Sequence, residues 1–213
     1  MMTNLCPLCE SANTVLYTHT NDKDFFRCKH CDLIFVTKPF LLSIADEKRR
    51  YDQHQNDLMD AGYKSFLNQI VSPVTDLLPK GSKGLDFGSG PYPALVSLLE
   101  EASYEMDYFD PIYHTNQAVF DKKYQFITLT EVVEHFFNPK FELERLEKML
   151  LPHAYLFIMT HRTDHIADFD TWYYKNDDTH VCFYSDITMN FIAKKYHLTL
   201  KILSDRLVIL RKT

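Results

Sequence analysis

The chain has 213 residues, 46% hydrophobic and 24% charged, a balance that excludes a disordered chain, a collagen and a coiled-coil rod. No apolar run approaches the ~18 residues of a membrane span, and the N-terminus lacks the basic and apolar regions of a secretory signal, so a cytoplasmic protein is expected. Lys and Arg number 23 against 29 Asp and Glu, a net charge of −6, which argues against long nucleic acid as a bulk electrostatic partner.

Four of the five cysteines form two Cys-x-x-Cys knuckles, Cys6/Cys9 and Cys28/Cys31, with 18 residues between them. Each knuckle aims two sulfurs at one centre, and the gap holds a hairpin that brings the knuckles together, as in a four-thiolate zinc site. Disulfides are disfavoured in the absence of secretion. A closed four-cysteine site has no open coordination position, so this zinc would be structural. It would supply folding energy that a module of ~35 residues cannot draw from its own core. His30 lies inside the second knuckle, but four cysteines suffice. Cys182 reads as an ordinary, partly buried thiol.

Residues 1–40 are therefore expected to form a small zinc ribbon with strands at 15–20, 24–27 and 32–37, closed by Pro39. Residues 43–60 read as a charged helix capped by Ser43 and broken by Gly62; the charge run at 46–50 is a solvated face. From Tyr63 to Leu78 apolar residues recur at helical spacing, with a kink or restart at Pro73. Residues 41–82 thus form a helical linker or lid. From Lys83, strands at 84–87, 104–109, 125–130 and 154–160 alternate with helices at 94–101, from Glu131, at 141–151 and at 185–196. A hairpin of 199–203 and 206–211 ends the chain. This alternation implies an α/β domain over 83–213, a mostly parallel sheet covered on both faces, to which the hairpin adds one antiparallel strand.

The turn Gly88-Ser89-Gly90-Pro91 joins the first of these strands to a helix, and its glycines let the backbone bend sharply and approach a ligand. Asp110 ends the next strand, 24 residues after Asp86, where a carboxylate can hold both hydroxyls of a ribose. An acid at Asp86, just before the turn, suits a cationic ligand and would repel a pyrophosphate. The third Gly of a dinucleotide fingerprint and the Lys of a P-loop are both absent.

The segments L-D-F-G-S-G, Y-F-D-P, F-I-T-L-T-E-V-V-E-H-F-F-N-P and L-L-P-H-A-Y-L-F-I-M-T resemble the successive motifs of class I S-adenosylmethionine-dependent methyltransferases. The resemblance covers about residues 83–213, or 45–213 with the preceding helices. Methyltransferases with an N-terminal zinc ribbon, some similar to the sugar C-methyltransferases of antibiotic biosynthesis, form a recognisable group. The resemblance implies a Rossmann-like sheet and S-adenosylmethionine as cofactor. Asp86, Gly88, Ser89 and Gly90 would surround its methionine part, Asp110 would hold its ribose, and Thr130 and Glu131 would lie beside it. There are two departures. Tyr92 stands where the family often has a third Gly. Only about 14 residues separate Asp110 from the strand at Gln125, too few for a helix and a strand, so one sheet strand is expected to be missing.

Glu131, Glu134 and His135 stand at i, i+3 and i+4, one face of a helix, as a metal or acid–base cluster needs. The same E-x-x-E-H string occurs in ubiquinone-type O-methyltransferases and in RNA 3′-terminal ribose methyltransferases, where it is associated with a divalent metal; it also occurs in relatives without one. Helix-start acids with a histidine facing the cleft would leave the same string. The aromatic insert between His161 and His180 follows the last parallel strand and is expected at the ligand crevice. Trp172, Tyr173, Tyr174, Phe183 and Tyr184 are candidate substrate walls, and His180 a candidate base or further metal ligand.

These features converge on S-adenosylmethionine-dependent methyl transfer to a small-molecule acceptor, at oxygen or carbon, with His135, His180 and Glu134 as candidate catalytic residues. Two other readings are a zinc-ribbon interaction protein with a non-catalytic methyltransferase-like domain, and a metal-dependent O-methyltransferase acting on an RNA end.

Overall fold

The computed structural model describes residues 4–37, 41–51 and 60–213. Pro39 and the 52–59 portion of the expected charged helix lie outside them. The N-terminal sheet begins with the hairpin of β1 (Thr14–Thr20) and β2 (Lys23–Cys28). Its two turn residues, Asn21 and Asp22, both have positive φ, the twist a two-residue hairpin requires. β3 (Ile34–Val36) pairs with β2 and, on its other edge, with β8 (Cys182–Phe183), from far along the chain. The ribbon therefore shares its sheet with the C-terminal half.

Two helices lead into the main domain, α1 (Ile44–Tyr51) and α2 (Ala61–Leu77). The Ser43 Oγ accepts a hydrogen bond from Asp46 N at 3.3 Å, the expected cap of α1. Gly62 does not break the segment as expected. The Asp60 carboxylate accepts hydrogen bonds from Gly62 N and Tyr63 N, at 2.6 and 3.1 Å, so Gly62 sits inside the first turn of α2. The helix runs through Pro73 to Leu77.

The main sheet has six strands in the order β5-β4-β6-β7-β10-β9. They are β4 (Lys83–Phe87), β5 (Glu105–Phe109), β6 (Tyr124–Thr130), β7 (Leu150–Met159), β9 (Leu198–Ile202) and β10 (Leu207–Lys212). β5, β4, β6 and β7 run parallel, β10 is antiparallel to β7, and β9 is antiparallel to β10. β5 is an edge, with only a 3₁₀ turn at Gln117–Asp121 before β6, so the strand expected to be missing is missing.

Side chains alternate across the sheet and build two cores. On one face Phe126, Phe157, Met159, Leu207 and Ile209 pack with Leu67, Ile70 and Val74 of α2 and with Leu95, Leu98 and Leu99 of α3 (Ala94–Glu101). On the other, Ile127, Leu129, Leu156, Ile158, Val208 and Leu210 meet α4 (Pro139–Met149), α5 (Asp186–Lys195) and the ribbon. Ser185 caps α5 by accepting from Thr188 N at 3.1 Å. Ribbon residues Leu8, Phe25, Leu33 and Phe35 are buried in this same second core. Each fully covered apolar side chain there contributes about 1.5–3 kcal/mol. Cys182 is buried rather than partly exposed, and its thiol donates to Phe136 O at 3.3 Å.

Candidate active site

At the carboxyl end of β4 the chain turns through Gly88 (φ +83°) and Gly90 (φ +66°). Gly88 N and Ser89 N both donate to Phe109 O, at 2.8 and 3.1 Å, which fastens the turn to the end of β5. A Cβ at Gly88 would lie 2.5 Å from Val132 Cγ2, so the turn accepts only glycine there. The Asp110 Oδ2 accepts from Gly90 N at 3.0 Å; its Oδ1 accepts from Ile112 N and Tyr113 N at 2.8 and 3.0 Å. A carboxylate has about four acceptor sites. Three are taken by the backbone, which leaves one, on Oδ2. Asp110 thus keeps one acceptor site for a further donor, whereas its position in the sequence suggested a carboxylate open to both hydroxyls of a ribose.

Asp86 is buried, and its Oδ1 accepts from Thr128 Oγ1 at 2.7 Å. Burial pushes its carboxyl up to about 6; the Thr128 hydrogen bond opposes this and the charge of Asp110 adds to it. A cationic group nearby would favour the ionised form.

The E-V-V-E-H string is not the helix expected after β6. Glu131 has φ +53°, only Val133–His135 make a 3₁₀ turn, and Glu131 N donates back to Met159 O at 2.8 Å. The two acids meet through the Tyr174 hydroxyl, which reaches Glu131 Oε2 at 2.9 Å and also Glu134 Oε1. One hydroxyl proton cannot serve both. Burial, first, and then the Glu131 charge push the Glu134 carboxyl up to about 8. Burial also raises Glu131. Glu131 Oε1, Glu134 Oε2 and Thr130 Oγ1 are buried without a hydrogen-bond partner; the two carboxylate oxygens can take a donor or a cation, and the hydroxyl can donate or accept.

His135 and His180 come together with ring centroids 4.7 Å apart. The Nδ1 of His135 lies 3.0 Å from Thr179 O and that of His180 2.6 Å from Tyr174 O. Each carbonyl demands an N–H, so neutral rings carry the proton on Nδ1 and Nε2 is the basic nitrogen.

A cavity of about 440 Å³ joins these parts. Asp86, Gly88, Ser89, Gly90, Asp110, Thr130, Glu131, His135 and His180 all line it; Glu134 does not, and stands behind the histidines. The wall also includes Glu47, Tyr63, Phe66, Tyr113 and Asp177, which sequence reasoning missed. Tyr63 and Phe66 belonged to a stripe read only as helix packing. Nothing in the sequence marks Glu47, pushed up to about 7 by burial, or Asp177. Every charged side chain lining the cavity among the described residues is acidic, apart from the two histidines.

The five aromatics expected as substrate walls are not there. Trp172, Tyr174, Phe183 and Tyr184 are buried, and Tyr173 is 62% exposed. Phe169 and Phe183 instead pack against ribbon residue Phe25, with Phe25 and Phe169 centroids 5.2 Å apart, and Trp172 packs on both of them. The insert is spent on fixing the ribbon, because its apolar rings gain more from that dry contact than from lining an open cleft.

The ribbon cysteines converge. Cys6 Sγ lies 3.5 Å from Cys31 Sγ, Cys9 Sγ lies 3.4 Å from Cys28 Sγ, and all four sulfurs are within 4.8 Å of one another. Sulfurs bound tetrahedrally at ~2.3 Å would sit nearly 4 Å apart, so the four fit one such ion. His30 is not part of this set; its ring packs edge-on against Phe191.

Comparison with known proteins gives a consistent picture. A family described as a methyltransferase domain matches residues 53–201. The chain is similar in structure to an S-adenosylmethionine-dependent methyltransferase from Archaeoglobus fulgidus, with TM-score 0.52, 15% identity, and coverage of 73% of this chain and 100% of that one. It is similar also to magnesium protoporphyrin IX methyltransferase from Synechocystis PCC 6803 with bound S-adenosylhomocysteine, with TM-score 0.52, 13% identity, and coverage of 79% and 94%. At such identities the likeness is one of fold. No curated protein matches the chain. No helix among the described residues is long and apolar enough to cross a membrane.

Proposed function

The chain belongs to the methyltransferase-domain family and is an S-adenosylmethionine-dependent methyltransferase; we propose that it methylates an oxygen or carbon of a small, non-anionic acceptor. The observation that carries this reading is the clasp of Asp110 on Gly90, at the carboxyl edge of the sheet beside an acid-walled cavity. S-adenosylmethionine, when bound, supplies a methyl group made electrophilic by its sulfonium.

The residues divide the remaining work. Asp86, Gly88, Ser89 and Gly90 would hold the methionine part, with the ionised Asp86 facing its positive charge. Asp110 would take a ribose hydroxyl through its remaining acceptor site, and Thr130 and Glu131 would lie alongside. The cavity would align acceptor with methyl, which is most of what an in-line displacement needs. A hydroxyl or carbon acid must also lose a proton, and the Nε2 of His135 or His180 would receive it. Glu134, behind them and linked to Tyr174, would hold that pair in place. Acids outnumber cations around the cavity, although Arg50 pairs with Asp177 and Lys48 sits over the Tyr113 ring at its wall; this balance favours a non-anionic acceptor over an RNA end. The ribbon would hold one structural zinc.

The test is calorimetry with S-adenosylhomocysteine, then an acceptor screen. His135→Ala and His180→Ala should leave cofactor affinity within about twofold while turnover falls by ~10²–10⁴, with His180 the more sensitive. Full activity in both variants refutes the base role.

One observation favours a second reading of the same residues. Ligand atoms of Glu134, His135 and His180 lie within 4.8 Å of one another, and the orphaned oxygens of Glu131 and Glu134 are close by. Such a set of oxygens and imidazoles fits a divalent cation. Activity that needs added Mg²⁺ or Mn²⁺ and is abolished by EDTA, with the ribbon metal retained, would establish it over the metal-free base.

A further inference from the structure

The segment 176–185, which carries His180, is gripped by the ribbon along its length. Asn21 Nδ2 donates to Asn176 Oδ1 and Lys23 Nζ to Asp178 Oδ1, both at 2.7 Å. Val36 N donates to Val181 O at 2.9 Å, and β3 pairs with β8 at Ile34–Phe183 and Phe35–Cys182. At the far end Ser185 Oγ donates to Asp32 Oδ2 at 2.7 Å. Asp32 lies directly after Cys31, and its N donates to Cys28 O at 2.9 Å, so this contact is made by the cysteine knuckle itself.

The opposite edge of the segment holds the catalytic turn. Val181 N donates to Glu134 O at 2.8 Å, Cys182 Sγ to Phe136 O at 3.3 Å and Tyr184 Oη to Val133 O at 2.9 Å. The Nδ1 partner of His135 is Thr179 O and that of His180 is Tyr174 O. Thr179, whose carbonyl orients the His135 ring, and His180 itself therefore lie on a segment that, among the described residues, pairs as a strand only with the ribbon's β3; the carbonyl facing the His180 ring is that of Tyr174, just before the segment. A two-residue strand has no stability without its partner. In contrast, the hydrogen bonds of Gly88, Ser89, Gly90 and Asp110 run among themselves and to Phe109, Ile112, Tyr113 and His114, with none to the described residues of the ribbon.

We propose that the Val36–Val181–Glu134 relay makes the ribbon, closed by its four-cysteine metal, the positioning element for His135 and His180, while the cofactor loop stands independently. This inference rests on the methyltransferase reading for the meaning of the two histidines. The ribbon acts as the rear wall of the acceptor side, and losing its metal disables that side first. Val36 and Val181 are positioning residues in this scheme, touching neither cofactor nor acceptor.

The experiment uses the full-length protein with its metal. The metal is removed with phenanthroline under reducing conditions, and amide hydrogen exchange is followed. Exchange in 133–136 and 176–185 should accelerate at least about tenfold. Exchange in 84–90 and 108–113, and the affinity for S-adenosylhomocysteine, should change less than about twofold. In parallel, Val36→Pro removes the one N–H that reaches Val181, while Val36→Ala keeps it. The ring ¹⁵N signals of His135 and His180, which report the tautomer, should shift in the proline variant and be restored in the alanine one. Ring signals unchanged in Val36→Pro would overturn the proposal. So would loosening confined to the ribbon, equal loosening of the cofactor loop, or a protein that holds no metal. Failure of the intact protein to bind S-adenosylhomocysteine would instead refute the cofactor reading, and would leave the exchange result standing.

Discussion

Replacing Asp110 separates its two tasks. In the folded chain the carboxylate accepts three backbone N–H groups, and the side chain, with one acceptor site left on Oδ2, lines the cavity. Asp110→Ala removes one charge-assisted hydrogen bond to a ribose hydroxyl, worth about 1.5–3 kcal/mol. At about 1.4 kcal/mol per decade, S-adenosylhomocysteine should bind roughly 10- to 150-fold more weakly. Asp110→Asn is the sharper change. An amide oxygen can still accept from Ile112 N and Tyr113 N, whereas the amide NH₂ in place of Oδ2 accepts from neither Gly90 nor ribose. Its loss should match that of alanine while the 110–113 turn stays intact. Isothermal titration calorimetry gives the affinities, and thermal unfolding shows that both variants are folded. If both bind S-adenosylhomocysteine within about twofold of the parent, the ribose is not at Asp110 and the cofactor assignment falls.

Three more outcomes are expected. Elemental analysis of protein never exposed to chelator should find about one zinc per chain, and its absence would remove the ribbon metal. Gly88→Ala sets a Cβ 2.5 Å from Val132 Cγ2 at φ +83°; with ~1–2 kcal/mol for the left-handed backbone, the melting temperature should fall by about 2–8 °C, and an unchanged value would contradict the fit of loop to Val132. Asp86 is raised to about 6 by burial, so its contribution to stability is fully present below its unfolded value near 4 and is lost as pH rises through 6, of order 3 kcal/mol. Asp86→Asn should therefore be more stable than the parent at pH 7.5 and no more stable near pH 4, by urea denaturation. Its affinity for S-adenosylmethionine should also lack the rise between pH 5 and 7 expected of the parent; matching pH profiles would refute the role of Asp86.

Much was legible in the sequence because it depends on short spacings. Two Cys-x-x-Cys knuckles place sulfurs by local turn geometry, and the four converge. Gly88 and Gly90 mark a turn that only positive φ can make. The short interval after Asp110 cannot hold a helix and a strand, and the sheet ends there at β5. The i, i+3, i+4 spacing of Glu131, Glu134 and His135 misled, because it assumes a helix. The register of β6 on β7 ends the strand at Thr130, and Glu131 is forced into a left-handed turn.

Tertiary structure alone decided which neighbours share the limited acceptors, donors and apolar faces. Three backbone N–H groups occupy Asp110 before any ligand arrives. The aromatic run 172–184 reads equally well as pocket wall or packing; the ribbon, folded onto the same sheet face, claims it as packing. Glu47, Tyr63 and Asp177 join the cavity from three separate segments, and no local pattern records such an encounter. The link between β3 and β8 spans nearly 150 residues of chain, so the contact between the ribbon and the segment that carries His180 exists only in the folded molecule.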